Sequence, residues 1–141
     1  MGDLRDSLRH DLKKGEGLRL FPYRCTSGKL TIGYGRNLQE RGITEYEADY
    51  LLSNDIDECI ESMNVVLSYF YDLPDNVKLV LLNMRFNLGL NGLLKFKKTL
   101  SLIEIGNYKE AAKEMLNSKW AKQVGIRAIE LSKVLSKESD K

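Results

Sequence analysis

Between Gly15 and Gly35 the chain reads GEGLRLFPYRCTSGKLTIGYG, and this stretch limits the possible folds more than any other. Pro22 and the Thr26-Ser27-Gly28 cluster rule out a continuous helix across it. Leu18 to Leu20 and Lys29 to Tyr34 are spaced to pair as a β-hairpin, with Gly33 and Gly35 allowing close backbone approach. Nearly everything else has helical spacing. A carboxylate (Glu16), a thiol (Cys25) and a hydroxyl (Thr31) fall on the same short segment. The expectation is therefore an α+β fold, mostly helical, with one small sheet carrying the chemistry.

Before the hairpin, Leu4, Leu8 and Leu12 lie four apart, on one stripe of a helix that Lys13 and Lys14 would close and Gly15 would cap. Glu16 then lies just past the helix end. After the hairpin, Thr44 and Glu47 have capping-box spacing, and residues 45–68 form a long helix with Leu51, Leu52, Ile56, Cys59, Ile60, Met63, Val66 and Leu67 on its apolar stripe. Such a helix is long enough to join two lobes. Pro74 opens a helix that is apolar on most sides and stops at Gly89, which puts it at the centre of a helical lobe. Shorter helices are expected at 99–105, 107–117, 118–123 and 126–136, followed by a frayed polar tail, SKESDK.

At 141 residues the chain suits a single domain with a real core, and 43% hydrophobic with 30% charged residues is an ordinary folded balance. A net charge of +2 makes no case for nucleic acid, although residues 91–141 hold 11 Lys/Arg against 6 Asp/Glu. Two separated cysteines, one histidine and no CxxC pair argue for no disulfide framework, no metal and no cofactor. No run approaches the roughly 18 apolar residues of a membrane span. The charged N-terminus, MGDLRDSLRHDLKK, does not read as a signal peptide, so synthesis in the cytoplasm without stable membrane insertion is expected.

Taken singly, the candidate residues are ordinary. Glu16 could be a surface glutamate, Cys25 a small buried hydrophobe and Thr31 a strand former. As a catalytic thiol, Cys25 would need its pKa lowered, a role open to Arg24 or Arg36. His10 is expected to be solvent-exposed, Cys59 core, Trp120 a packing residue, and Lys95-Phe96-Lys97-Lys98 a solvated loop or helix start.

Order and spacing add what single residues do not. Glu16, then Cys25 after eight residues, then Thr31 after five more, within GEGLRL…TSG…TIGYG, resembles the phage-type lysozymes, the endolysins of glycoside hydrolase family 24. That family sets Glu, Asp and Thr in this order, so Cys25 stands where the aspartate is usual. Thr44 to Asp57 resembles the start of the family's interlobe helix, and Asn83 to Gly89 its central-helix signature. Tyr108 to Trp120 resembles the segment leading to an arginine, which here is Arg127.

The resemblance implies a two-lobed lysozyme fold in one domain, residues 1–141. Residues 15–58 would form the hairpin lobe and interlobe helix, and 1–14 with 59–141 the helical lobe, the first helix packing on the latter. It implies a monomeric muramidase cutting the β-1,4 bond between N-acetylmuramic acid and N-acetylglucosamine in peptidoglycan. The enzyme would lyse the cell after a holin-type lesion admits it to the wall. Glu16 would be the general acid, Thr31 would position water, Arg127 would orient Glu16, and Asn87 would line the cleft. Gly35 and Arg36 would support the hairpin, Arg36 standing where histidine is frequent. Cys25 has three open roles: electrostatic stand-in for the carboxylate, activator of water, or nucleophile forming a thioglycosyl intermediate. Two rival readings are a lytic transglycosylase, which needs the acid but no activated water, and a catalytically inactive peptidoglycan-binding protein.

Overall fold

A computed structural model describes residues 2–141 and contains, among them, eight α-helices and one three-stranded sheet. Its residues cluster into two compact units, one ending at Leu52 and the other spanning Ser53–Lys141.

The first unit opens with α1, Gly2–Glu16. Gly15 lies inside this helix and does not cap it. Gly17 ends it instead, at φ +72° and with its N–H on the Lys13 carbonyl at 3.2 Å. The left-handed region is open to glycine at little cost, so the helix runs on to the glycine that adopts it. Glu16 is consequently the last helical residue, not the first loop residue.

Strands β1 (Arg19–Arg24), β2 (Leu30–Gly33) and β3 (Arg36–Asn37) form an antiparallel sheet in that order. Pairing slips between Arg19 and Tyr23, the interval containing Pro22, which has no N–H to give to a ladder. The hairpin is as expected, but β3 and the short helix α2, Leu38–Arg41, were not read from the sequence. Asn37 caps α2 by accepting from Glu40 N at 3.0 Å. Lys29 Nζ reaches Glu40 at 3.0 Å, and Leu30 N donates to Gln39 Oε1 at 3.3 Å, so α2 is held against β2.

Helix α3, Glu45–Val66, begins in the first unit and ends in the second. Its capping box forms as expected: Thr44 N donates to Glu47 Oε1 at 2.8 Å, and Glu47 N to Thr44 Oγ1 at 3.1 Å. Of the proposed stripe, Cys59, Met63 and the following Leu67 are buried, whereas Leu51, Leu52, Ile56, Ile60 and Val66 are exposed.

The second unit is helical throughout. Helix α4, Asp75–Leu94, starts after Pro74 and breaks at Gly89, where φ is +77°, before resuming to Leu94. Val77, Val80, Leu81 and Met84 have the three-and-four spacing of one helical face and are fully buried. Leu79 and Phe86 are exposed, so α4 buries one face and is not enclosed on most sides. Helices α5 (Lys97–Glu104), α6 (Tyr108–Leu116), α7 (Lys119–Val124) and α8 (Ile126–Ser136) lie within a residue or two of their expected positions. Ile103, Met115, Ala128 and Leu135 join the same core, and Ser132 Oγ donates to Ala112 O at 3.0 Å, tying α8 to α6.

The polar tail is not frayed as expected. Asp140 Oδ1 accepts from Tyr108 N at 2.9 Å and Lys109 N at 3.2 Å, and Lys141 N donates to Gly106 O at 3.0 Å. The first N–H groups of a helix lack partners within it, and Asn107, at the N-cap position of α6, makes no capping bond. Asp140 fills that vacancy from 32 residues away. Replacing Asp140 by Ala is therefore expected to cost about 1 kcal/mol of stability, the usual value of a lost cap. A urea melt of the variant against the parent measures the difference.

Candidate functional site

The hairpin turn makes an unusual place for a thiol. Gly28 N donates to Cys25 O at 2.8 Å and Cys25 N to Lys29 O at 3.0 Å, closing a tight loop that Gly28 permits at φ +80°. The loop brings the Ser27 hydroxyl to 3.1 Å from Cys25 Sγ. That hydroxyl lowers the thiol pKa most, followed by the backbone N–H groups of Lys29 and Ser27, and the value falls from 9.0 to about 7. The Thr31 hydroxyl contributes least, since its proton is directed at Lys29 O at 2.8 Å. Thr31 is itself buried, at 3% exposure, beside a half-buried Cys25.

Neither arginine proposed to activate Cys25 does so. Arg24 Nη1 donates to Gly28 O at 3.0 Å and serves the turn. Arg36 makes a two-pronged pair with Glu47, at 2.9 and 2.8 Å, and also donates to Gly42 O at 3.1 Å. Both guanidinium groups are spent on the scaffold. Ser27, a turn former by sequence, is the partner that matters. The signal available in the sequence was a hydroxyl two residues beyond the thiol across a tight turn.

Glu16 packs over Gly35. A Cβ at position 35 would lie 3.0 Å from Glu16 Oε2 and 3.3 Å from its Cδ, and φ there is +79°. Both steric room and backbone conformation thus require glycine where the carboxylate meets the end of the sheet. Glu47 completes the hairpin's electrostatics. Arg36 lowers its pKa most, and the Thr44 N–H adds to this, so the carboxyl is held at about 2.

The helical unit has its own polar cluster. Asn87 Oδ1 accepts from Trp120 Nε1 at 2.8 Å. Trp120 is buried and meets Phe96 edge-on with centroids 6.0 Å apart, the packing role expected for it. Arg127 Nη2 donates to Asn83 Oδ1 at 3.1 Å, and Asn83 Nδ2 donates to Leu79 O. Cys59 is buried and His10 exposed, as expected. Among the described residues, no group of three or more His, Cys, Asp and Glu is arranged to hold a metal ion, and no helix is long and apolar enough to cross a membrane.

The sequence model of the phage lysozyme family matches residues 13–137, a span that includes every residue of both clusters. The chain belongs to the phage lysozyme family. It is 34% identical to a protein described as probable T4-type lysozyme 1 of Dictyostelium discoideum and 30% identical to probable T4-type lysozyme 2 of the same organism. Each match covers 86% of this chain and 89% of the relative. An endolysin of Acyrthosiphon pisum secondary endosymbiont phage 1 is 31% identical, over 79% of this chain and 75% of its own length. The mostly helical α+β architecture, with its small antiparallel sheet, is that of a lysozyme.

Two measurements check these electrostatics. Alkylation of Cys25 by iodoacetamide is expected to follow a thiolate titration centred near pH 7, and Ser27→Ala should move the midpoint toward 9.0. Burial of Cys59 keeps it from masking the signal. Glu47 has its pKa lowered on folding, so its stabilisation is fully present above about 4.5 and is lost as pH falls through about 2. Arg36→Gln should accordingly be less stable than the parent at neutral pH, with the gap closing between about pH 4.5 and 2 in acid melts.

Proposed function

We propose that this lysozyme-family chain is a muramidase, hydrolysing the β-1,4 bond between N-acetylmuramic acid and N-acetylglucosamine in peptidoglycan. The observation that carries the proposal is the hairpin turn, which keeps Cys25 partly ionised at neutral pH where a phage-type lysozyme usually has aspartate.

Glu16 gives its proton to the glycosidic oxygen as the C1–O bond breaks. A water molecule positioned by Thr31 adds to C1 and loses its proton to the Cys25 thiolate. A base with a pKa near the working pH suits this step. Electrons balance without a co-reactant: one C–O bond forms, one breaks, and the two protons exchanged between carboxyl, water and thiol return through solvent. The family resemblance adds Asn87 and Arg127, both in the helical unit, to the residues this reading assigns. The chain works as a single lysozyme-like domain and as a monomer. In an endolysin setting the chain reaches the wall through a holin-type membrane lesion.

Mass analysis of fragments released from purified peptidoglycan tests the reading. Reducing muramic acid ends are expected. Anhydro ends would make the chain a transglycosylase, and no fragments at all would leave a binding protein on a lysozyme fold. Glu16→Gln should lower turnover by about 100-fold or more, the usual range for a lost general acid. Activity of the parent should fall as pH drops through about 7, and Cys25→Asp should carry activity to lower pH. Full activity in both Cys25→Ser and Cys25→Ala would remove the thiol from the mechanism.

A further inference from the structure

The flank of α1 that leads up to Glu16 is basic. Arg5, Arg9 and Lys13 lie four residues apart, and Leu8 and Leu12 keep the same spacing one position earlier. Together with Tyr34 they line a hollow of about 440 Å³, inside the roughly 300–1,000 Å³ range of small-molecule sites. Lys13 Nζ sits over the Tyr34 ring, 5.4 Å from its centroid, and so joins the helix to the link between β2 and β3. Two features bring this hollow to the proposed general acid. Glu16 follows Lys13 by three residues and continues the same helical flank. Tyr34 immediately precedes Gly35, over which the Glu16 carboxyl packs.

The lining is chemically one-sided. It holds three cations and no carboxylate, and among the described residues Arg5, Arg9 and Lys13 make no ion pair. Asp3, Asp6 and Asp11 of the same helix stay out of the lining. The Tyr34 hydroxyl is the one neutral polar side-chain group, so an uncharged sugar ring finds few partners here. A carboxylate fits better, because the planar arginine fork meets it through two parallel bonds. Leu8, Leu12 and the Tyr34 ring suit short aliphatic side chains. A short peptide with free carboxylates and methyl groups answers both demands, and the muramic acid of peptidoglycan carries such a peptide.

We propose that this hollow binds the acidic stem peptide of the glycan strand, Arg5 and Arg9 taking its carboxylates while Leu8, Leu12 and Tyr34 take its apolar side chains. The proposal rests on the reading of Glu16 as the acid that cuts peptidoglycan, and it adds a specificity. Stems whose glutamate keeps a free α-carboxyl are preferred over stems in which that carboxyl is amidated. Every residue of the site belongs to the first unit.

The first measurement needs no cleavage. It is an amide NMR titration of the full chain with N-acetylmuramyl-L-alanyl-D-glutamate at constant ionic strength. Saturable shifts are expected at Arg5, Leu8, Arg9, Leu12 and Tyr34. The isoglutamine form, one carboxylate poorer, should bind severalfold more weakly. Arg5→Gln combined with Arg9→Gln should weaken binding of the acid form about tenfold, the value of a hydrogen bond to a charged group. Both arginines are exposed, so the fold survives their replacement. The second measurement is cleavage of purified peptidoglycan with free or amidated stems. KM should be lower on the free-acid form with kcat alike, and the double variant should narrow that gap. The expected titration with no cleavage of either form would support the peptide site while removing the muramidase reading. Shifts that never saturate, binding indifferent to amidation, or binding unchanged in the double variant would overturn the proposal. Binding to phosphatidylglycerol vesicles with no saturable response to the peptide would overturn it too, and would assign this face to a lipid surface.

Discussion

The paired hydrogen bonds between Arg36 and Glu47 join the last strand of the sheet to the first turn of the long helix. Arg36 lies on β3 and Glu47 on α3, and the same guanidinium also holds the Gly42 carbonyl in the connection between them. Glu47 is simultaneously the reciprocal half of the capping box with Thr44. One carboxylate therefore sets where α3 begins and fixes that start to the sheet. A planar guanidinium meets a carboxylate through two parallel bonds, which constrains orientation as well as distance. A histidine here would lack that fork. The arginine at this position is best understood as part of the scaffold.

The hairpin shows how backbone shape becomes chemistry. Its turn is tight because Gly28 takes the left-handed conformation, and the tightness brings the Ser27 hydroxyl and two amide hydrogens to the Cys25 sulfur, with the Thr31 hydroxyl adding least. None of these groups carries a formal charge. Hydrogen bonds to the ionised form lower a pKa just as a nearby cation does, and they are less easily screened by salt. Gly35 does related work for Glu16, since a side chain at that position would occupy the space the carboxylate fills.

How legible the molecule was depended on the range of the interaction. Helices α3 to α8 could be read because their limits follow from local signals: Thr44 with Glu47, Pro74, the break at Gly89, and the glycines at 106 and 125. Strand β3 has only two residues, too few for an alternating pattern to register. The choice between Gly15 and Gly17 as the end of α1 turned on which glycine adopts positive φ, and composition is silent on that. Asp140 was hidden for a different reason. A cap from 32 residues away has no sequence spacing to betray it, so a polar tail looked like a frayed one. The order of Glu16, Cys25 and Thr31 was visible at once, whereas the cause of the lowered thiol pKa was not, because backbone N–H groups occur at every position and only the fold aims them.

In the proposed mechanism a thiol stands in for a carboxylate at the end of β1, and that exchange changes more than the identity of an atom. An aspartate with an ordinary pKa near 4 is fully ionised at neutral pH, so its charge is a fixed part of the site. A thiol held at about 7 is ionised in only about half of the molecules there, so its charge becomes a variable. At about 7 the thiolate is still a stronger base than a carboxylate with an ordinary pKa near 4, so it retains appreciable affinity for a proton from water. The Ser27 hydroxyl sets the balance between these two effects. A weaker hydrogen bond would leave the sulfur protonated and inert, and a much stronger one would give a thiolate too weakly basic to activate water. On the proposed mechanism, the turn residues 25–29 decide whether the sulfur can do a carboxylate's work, and they do so through neutral groups whose positions depend on one glycine.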